Sequence, residues 1–176
     1  MPAIIAVFLD RDGIVTPPLP KGRYLLNPDA VRLDHGASKA LRRLVEHGLR
    51  LFIVTNQSCI GRSMISQNGA EAIQMRAEAL LAYEGIPIAD RRICPHVAED
   101  GCACRKPKPG MILDLCRTHG IDPASTALVG DRPSDAEAGI EAGCALSILV
   151  GSGAKSGQHL PAPDLDGAVS RILAHA

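Results

Sequence analysis

The chain has 176 residues, 46% of them hydrophobic, with 19 basic and 19 acidic side chains and a formal net charge of zero. That length and apolar content predict a single domain over residues 1–176 that fills its own core and acts as a monomer. Balanced charge, two Phe, two Tyr and no Trp argue against nucleic-acid partners, and no run approaches the roughly 20 apolar residues of a membrane span. The start, MPAIIAVFLD, lacks a basic leader region and a small-residue cleavage site, so a cytoplasmic protein is expected.

In chain order, residues 3–9 form an apolar run that ends at Asp10. Ala37, Ala40, Leu41, Leu44 and Val45 follow helical spacing before Gly48, and residues 49–54 form a second apolar run. Ile73, Ala77, Leu80 and Leu81 precede Gly85, and Met111, Ile112, Leu115 and Cys116 precede Gly120. A third run covers 126–129. Ser134 and Glu137 stand in capping-box spacing at the start of a helix stopping at Gly143, and a fourth run covers 145–150. Residues 151–165 are rich in Gly, Ser and Pro and read as a surface loop before a short terminal helix. No chemistry is assigned to the tail, 151–176. Continuous apolar runs alternating with helices predict an α/β fold, a mostly parallel sheet with helices on both faces. Ligands of such a sheet bind beyond the carboxyl ends of its strands.

Three polar constellations fall there. Asp10 and Asp12, in Asp10-Arg11-Asp12-Gly13, place two like charges at a strand end, which is costly unless a cation or a function holds them; a polar glycine turn is the alternative. Thr55 and Asn56 offer a hydroxyl and an amide to a phosphoryl oxygen, although such residues also cap and turn. Asp131 suits a hard-cation ligand, whereas Asp135 in a first helical turn can simply complement the helix dipole. Of six cysteines, three crowd beside a histidine. Cys94, His96, Cys102 and Cys104 are a tetrahedral zinc set in a zinc-binding loop at about 94–104, the alternative being a loop with incidental buried thiols. A closed set of this kind would fold the loop that carries Arg105 and Lys106.

Together, DRDG at 10–13, Thr55, Lys106 and GDRPSD at 130–135 resemble the four motifs of the haloacid dehalogenase superfamily of phosphatases. The resemblance implies that Asp10 is a nucleophile that becomes transiently phosphorylated. Asp12 would be its acid/base partner, Thr55 and Lys106 would hold phosphoryl oxygens, and Mg²⁺ would be bound by Asp10, Asp131 and the Asp12 carbonyl, with Asp135 supporting. Crowded carboxylates should raise one pKa, which suits an Asp12 that must be protonated for the first step.

The string from Cys94 to Met111 is similar to the D-glycero-D-manno-heptose 1,7-bisphosphate phosphatases and to the histidinol-phosphate phosphatases that share the zinc loop. With Thr55-Asn56-Gln57-Ser58 this likeness covers about residues 7–150 and implies no large cap domain. It implies a small phosphorylated metabolite as substrate, a heptose bisphosphate first, held by Asn56, Arg62, Arg105 and Lys106, with Lys108 a further cation. Ile14 stands where the superfamily usually has threonine. Cys59 interrupts a usual Ser-Gly-Ile, and the loop 16–27 offers Gly22-Arg23-Tyr24-Leu25 in place of Gly-Tyr-Val, which bears on specificity. Histidinol phosphate, a DNA 3′-phosphate and an inert zinc-stabilised binding module are the competing expectations.

Overall fold

The computed structural model describes residues 2–151 and 159–176. Its elements are β1 (Ala6–Leu9), α1 (Ala37–Glu46), β2 (Arg50–Asn56), α2 (Gln67–Tyr83), β3 (Ile88–Cys94), α3 (Gly110–His119), β4 (Thr126–Gly130), α4 (Pro133–Ala142), β5 (Leu146–Val150), β6 (Leu160–Ala162) and α5 (Leu165–Leu173). The six strands form one parallel sheet in the order β3-β2-β1-β4-β5-β6.

The period-two alternation of strand side chains divides the core between the two faces. Val7, Leu9, Ile53 and Val129 cluster with Leu41, Leu44, Val169 and Ile172 of α1 and α5. Phe8, Phe52, Val54 and Leu128 cluster with Met111, Ile112, Leu115 and Ala138 of α3 and α4. Coverage of both faces is why these strands read as unbroken apolar runs. Among the described residues no insertion of cap size interrupts the alternation, and no helix is long and apolar enough to cross a membrane.

One strand is added to those expected and two local expectations are corrected. The segment Ile88–Cys94 is a strand, β3, hidden in the sequence because it is an edge strand carrying Asp90, Arg91 and Arg92. Edge strands tolerate such charge. At the opposite edge β6 lies inside the segment read as a surface loop; its Pro161 is compatible with an edge position. Residues 152–158 of that loop lie outside the described residues. Helix α4 begins at Pro133, and its first turn is capped by Asp135, whose Oδ2 accepts from the Arg132 N–H at 3.0 Å, not by the Ser134 and Glu137 pair.

From β1 the sheet runs outward through β2 to β3 on one side and from β4 to β6 on the other. Strand order therefore reverses between β1 and β4, the switch point at which open parallel sheets bind ligands. The Asp10 N–H donates to the Val129 carbonyl across that seam at 3.0 Å.

Candidate active site

Asp10 follows β1, and its side chain meets Lys106, which arrives on the loop between β3 and α3. Lys106 Nζ lies 2.8 Å from Asp10 Oδ1 and 2.6 Å from Asp135 Oδ1, and it donates to the Val54 carbonyl at 2.7 Å. All three charged side chains are buried. Burial pushes the Asp10 carboxyl up to about 7 although Lys106 opposes the shift. For Lys106 burial acts to lower the pKa, but the Asp10 and Asp135 charges outweigh it and hold the amine protonated.

Asp131, after β4, completes an oxygen cluster. One carboxylate oxygen each from Asp10, Asp131 and Asp135 lie within 4.8 Å of one another, and Asp131 Oδ1 is buried with no hydrogen-bond partner. Burial first, then the Asp135 charge, raise the Asp131 pKa. Three carboxylates facing one lysine, with an orphaned oxygen among them, fit a hard divalent cation such as Mg²⁺. Backbone geometry guards the approach: Gly13 has φ +94°, and a Cβ there would overlap the Asp131 carboxylate.

Asp12 stands differently from the expectation. Its carboxylate accepts from Arg11 Nε and Nη2, both at 2.9 Å, from Thr16 Oγ1 at 2.9 Å and from Gln57 Nε2 at 3.0 Å. Burial acts to raise its pKa, but the paired Arg11 guanidinium outweighs that and holds the carboxyl below its ordinary value. The carboxyls raised by crowding and burial are thus Asp10 and Asp131, not Asp12. Ile14 is core, and the hydroxyl on Asp12 comes from Thr16.

Thr55 is buried beside the cleft, its hydroxyl accepting from Gln57 Nε2 at 2.9 Å. Asn56 is committed to the backbone of Lys106. Its Nδ2 donates to the Lys106 carbonyl at 3.0 Å, and its Oδ1 accepts the Lys106 N–H at 3.1 Å.

On the same loop the sulfurs of Cys94, Cys102 and Cys104 are 3.3 to 3.8 Å apart, and His96 Nδ1 is 3.3 Å from Cys104 and 3.7 Å from Cys94. A tetrahedral ion with Zn–S bonds of about 2.3 Å has edges of roughly 3.8 Å, so these four side chains can hold zinc. Arg105 Nη1 donates to the His96 carbonyl at 3.1 Å, tying the cluster to the residue beside Lys106.

Asp10, Asp12, Thr55, Asn56, Arg105, Lys106 and Asp135 line a cleft of about 310 Å³. A larger cavity of about 720 Å³ meets the site at Gly13 and Asp131 but is not lined by Asp10 or Lys106, so the smaller cleft is the candidate active site. Arg62 is exposed and does not line it. Lys108 donates instead to the Gly101 carbonyl at 2.6 Å. The sequence reading missed Arg23, Tyr24, Ser134 and Arg132 as lining residues. Arg132 and Ser134 sit inside the motif after β4, and Arg23 and Tyr24 are the residues where the 16–27 loop departs from the usual Gly-Tyr-Val.

The chain is similar to known proteins over most of its length. The family described as "HAD-hyrolase-like" matches residues 103–173. The D-glycero-beta-D-manno-heptose-1,7-bisphosphate 7-phosphatase of Rhodopseudomonas palustris is 37% identical over 145 residues, 78% of this chain and 79% of that one. The corresponding alpha-named enzyme of Mycobacterium bovis is 35% identical over 156 residues, 86% and 81% of the two chains. A crystal structure of the D,D-heptose 1,7-bisphosphate phosphatase of B. bronchiseptica, complexed with magnesium and phosphate, superposes with a TM-score of 0.86 at 30% identity, covering 98% of this chain and 100% of that chain. Relatives this similar over most of both lengths, on the same fold, show that the chain is a phosphatase belonging to the haloacid dehalogenase-like hydrolases, in the branch of the heptose-1,7-bisphosphate phosphatases.

Proposed function

We propose that the protein removes the C7 phosphate of a D-glycero-D-manno-heptose 1,7-bisphosphate through an aspartyl-phosphate on Asp10. The observation that carries this is the division of charge in one cleft: buried Asp10, Asp135 and Lys106 at the floor and the less buried guanidiniums of Arg23, Arg105 and Arg132 at the rim. A bisphosphate offers an anion to each level. An amino-imidazole end, as in histidinol phosphate, would meet cations there instead.

Asp10 attacks phosphorus while Lys106 and Thr55 hold phosphoryl oxygens, and the sugar C7 oxygen leaves with a proton from Asp12. Asp12 then takes a proton from water as the water attacks the phosphorus of the aspartyl-phosphate and regenerates Asp10. In the resting arrangement Asp12 is an ionised acceptor held by Arg11, so donation requires release from that contact and uptake of a proton. Mg²⁺, held by Asp10, Asp131 and the Asp12 carbonyl with Asp135 supporting, would supply positive charge against the repulsion between carboxylate and phosphate. Zn²⁺ in the Cys94, His96, Cys102 and Cys104 site would have no open position and would serve to shape the loop. Arg105 keeps further N–H groups for the anomeric phosphate beyond the one given to His96.

The experiment is turnover on heptose 1,7-bisphosphate, histidinol phosphate and a DNA 3′-phosphate, with Asp10→Asn alongside. The bisphosphate should lead, and Asp10→Asn should lose turnover and trapped aspartyl-phosphate while keeping its fold. Preference for histidinol phosphate would overturn the substrate assignment. Near-native kcat in Asp10→Asn would overturn the covalent mechanism.

A further inference from the structure

The loop between β1 and α1 brings a cation to the cleft that no motif of the family supplies. Pro17, Pro18 and Pro20 restrict its backbone, and the chain reverses where the Arg23 N–H donates to the Pro20 carbonyl at 2.9 Å. Gly22, at the third position of that turn, has φ +78°, as a type II turn requires. One residue later the Tyr24 hydroxyl and Ser58 Oγ share a hydrogen bond at 3.0 Å, which latches the loop to the segment after β2. Arg23 is therefore held between a stiff turn and a latch.

From there Arg23 lines the same cleft as Asp10, Arg105 and Lys106. Its side chain is exposed, and among the described residues no carboxylate lies within ion-pair distance of it. A guanidinium at the mouth of an anion-binding cleft, without a partner of its own, is suited to a bidentate contact with phosphate.

We propose that Arg23 is a specificity-determining residue: presented by the Tyr24 and Ser58 latch, it binds the second, non-reacting phosphate of the substrate. This rests on the bisphosphate function proposed above. It also assigns a role to the loop departure, since the cation belongs to this chain's Gly-Arg-Tyr-Leu and not to the family's Gly-Tyr-Val.

The test compares the magnesium-loaded protein, Arg23→Ala and Tyr24→Phe on heptose 1,7-bisphosphate and on heptose 7-phosphate. Loss of a charge-assisted contact is expected to raise KM for the bisphosphate about tenfold in Arg23→Ala, with kcat changing less. The loss on the monophosphate should be at least several-fold smaller, so the preference for bisphosphate shrinks. Tyr24→Phe removes the latch but keeps the cation and should produce a weaker loss of the same preference. Equal losses on both substrates in Arg23→Ala, or an unchanged preference, would overturn the role of Arg23 while leaving the bisphosphatase assignment standing. Absence of any bisphosphate preference in the unmodified protein would overturn both.

Discussion

Gly13→Ala perturbs the oxygen cluster from outside it, without substituting any of its three carboxylates. Two costs are built into the position. The φ of +94° is unfavourable for an L-residue by about 1 to 2 kcal/mol. The added Cβ would also overlap the Asp131 carboxylate, so that carboxylate must shift from its place in the cluster with Asp10 and Asp135. Gly48 separates the two effects, because it has φ +79° and nothing within 4 Å of an added Cβ. Gly48→Ala should therefore lose about the same 1 to 2 kcal/mol by backbone strain alone, a fall in Tm of roughly 2 to 8 °C for a chain of this size. Gly13→Ala should lose at least as much. It should also need about tenfold more Mg²⁺ both for half-maximal activity and for the rise in Tm that Mg²⁺ produces, because displacing a group that orients metal ligands typically costs 10- to 100-fold in affinity. Mg²⁺ titrations followed by phosphate release and by thermal unfolding measure both quantities. If Gly13→Ala required no more Mg²⁺ than Gly48→Ala, Asp131 would not be the ligand that the buried, unpartnered oxygen implies.

Asn56→Ala removes both contacts with the Lys106 backbone and should lower kcat about tenfold with a smaller change in KM; a rise in KM alone would return Asn56 to direct substrate binding. Cys104→Ser should release zinc, measured by metal analysis of the purified protein, and lower kcat/KM through the Arg105 and Lys106 loop; stoichiometric zinc with full activity would contradict the assignment. Away from the site, burial acts to raise the Asp90 pKa, but the His119 hydrogen bond and other contacts hold it at about 2, below an ordinary 3.8. Asp90 is partly exposed, so after screening the contribution is about 1 kcal/mol. A depressed carboxyl stabilises above its unfolded pKa, so the deficit of Asp90→Asn in urea unfolding should be full at pH 7 and narrow as pH falls from 4 toward 2.

The central strands and their helices were legible because burial on both faces leaves only apolar residues to choose from, and Gly48, Gly85, Gly120 and Gly143 mark the helix ends with positive φ. The two edge strands were not. In β3, Arg91 pairs with Glu71 and Glu78, and Arg92 with Asp90 and Asp114. Those charges belong to strand and helix surfaces that come together only in the fold, so along the sequence they leave no apolar run to mark a strand. Among the proposed site residues, the strand-end aspartates and the Cys/His set were visible through residue type and spacing. The cations were harder to choose between. Arg62 and Arg23 look alike in sequence, and the choice falls to Arg23 because the Pro20 turn and the Tyr24 contact set the path of its loop.

Asp12 marks the limit of reasoning from charge count alone. Like charges at a strand end should raise one pKa, and the acid partner was the expected beneficiary. Had β1 continued, Arg11 would have pointed away from Asp12, because neighbouring strand side chains alternate. The chain instead curls at once, with the N–H groups of Val15 and Thr16 donating to the Arg11 carbonyl at 2.8 and 2.9 Å. In that turn the guanidinium folds onto the next residue, and Thr16 and Gln57 complete the hold. Asp10 has Lys106 as its side-chain donor but no guanidinium, and for it the cost of burial prevails. The Arg11 contact thus favours the charged form of Asp12, and in the mechanism proposed above that contact must loosen before Asp12 can carry a proton, a requirement invisible in the Asp-x-Asp spacing.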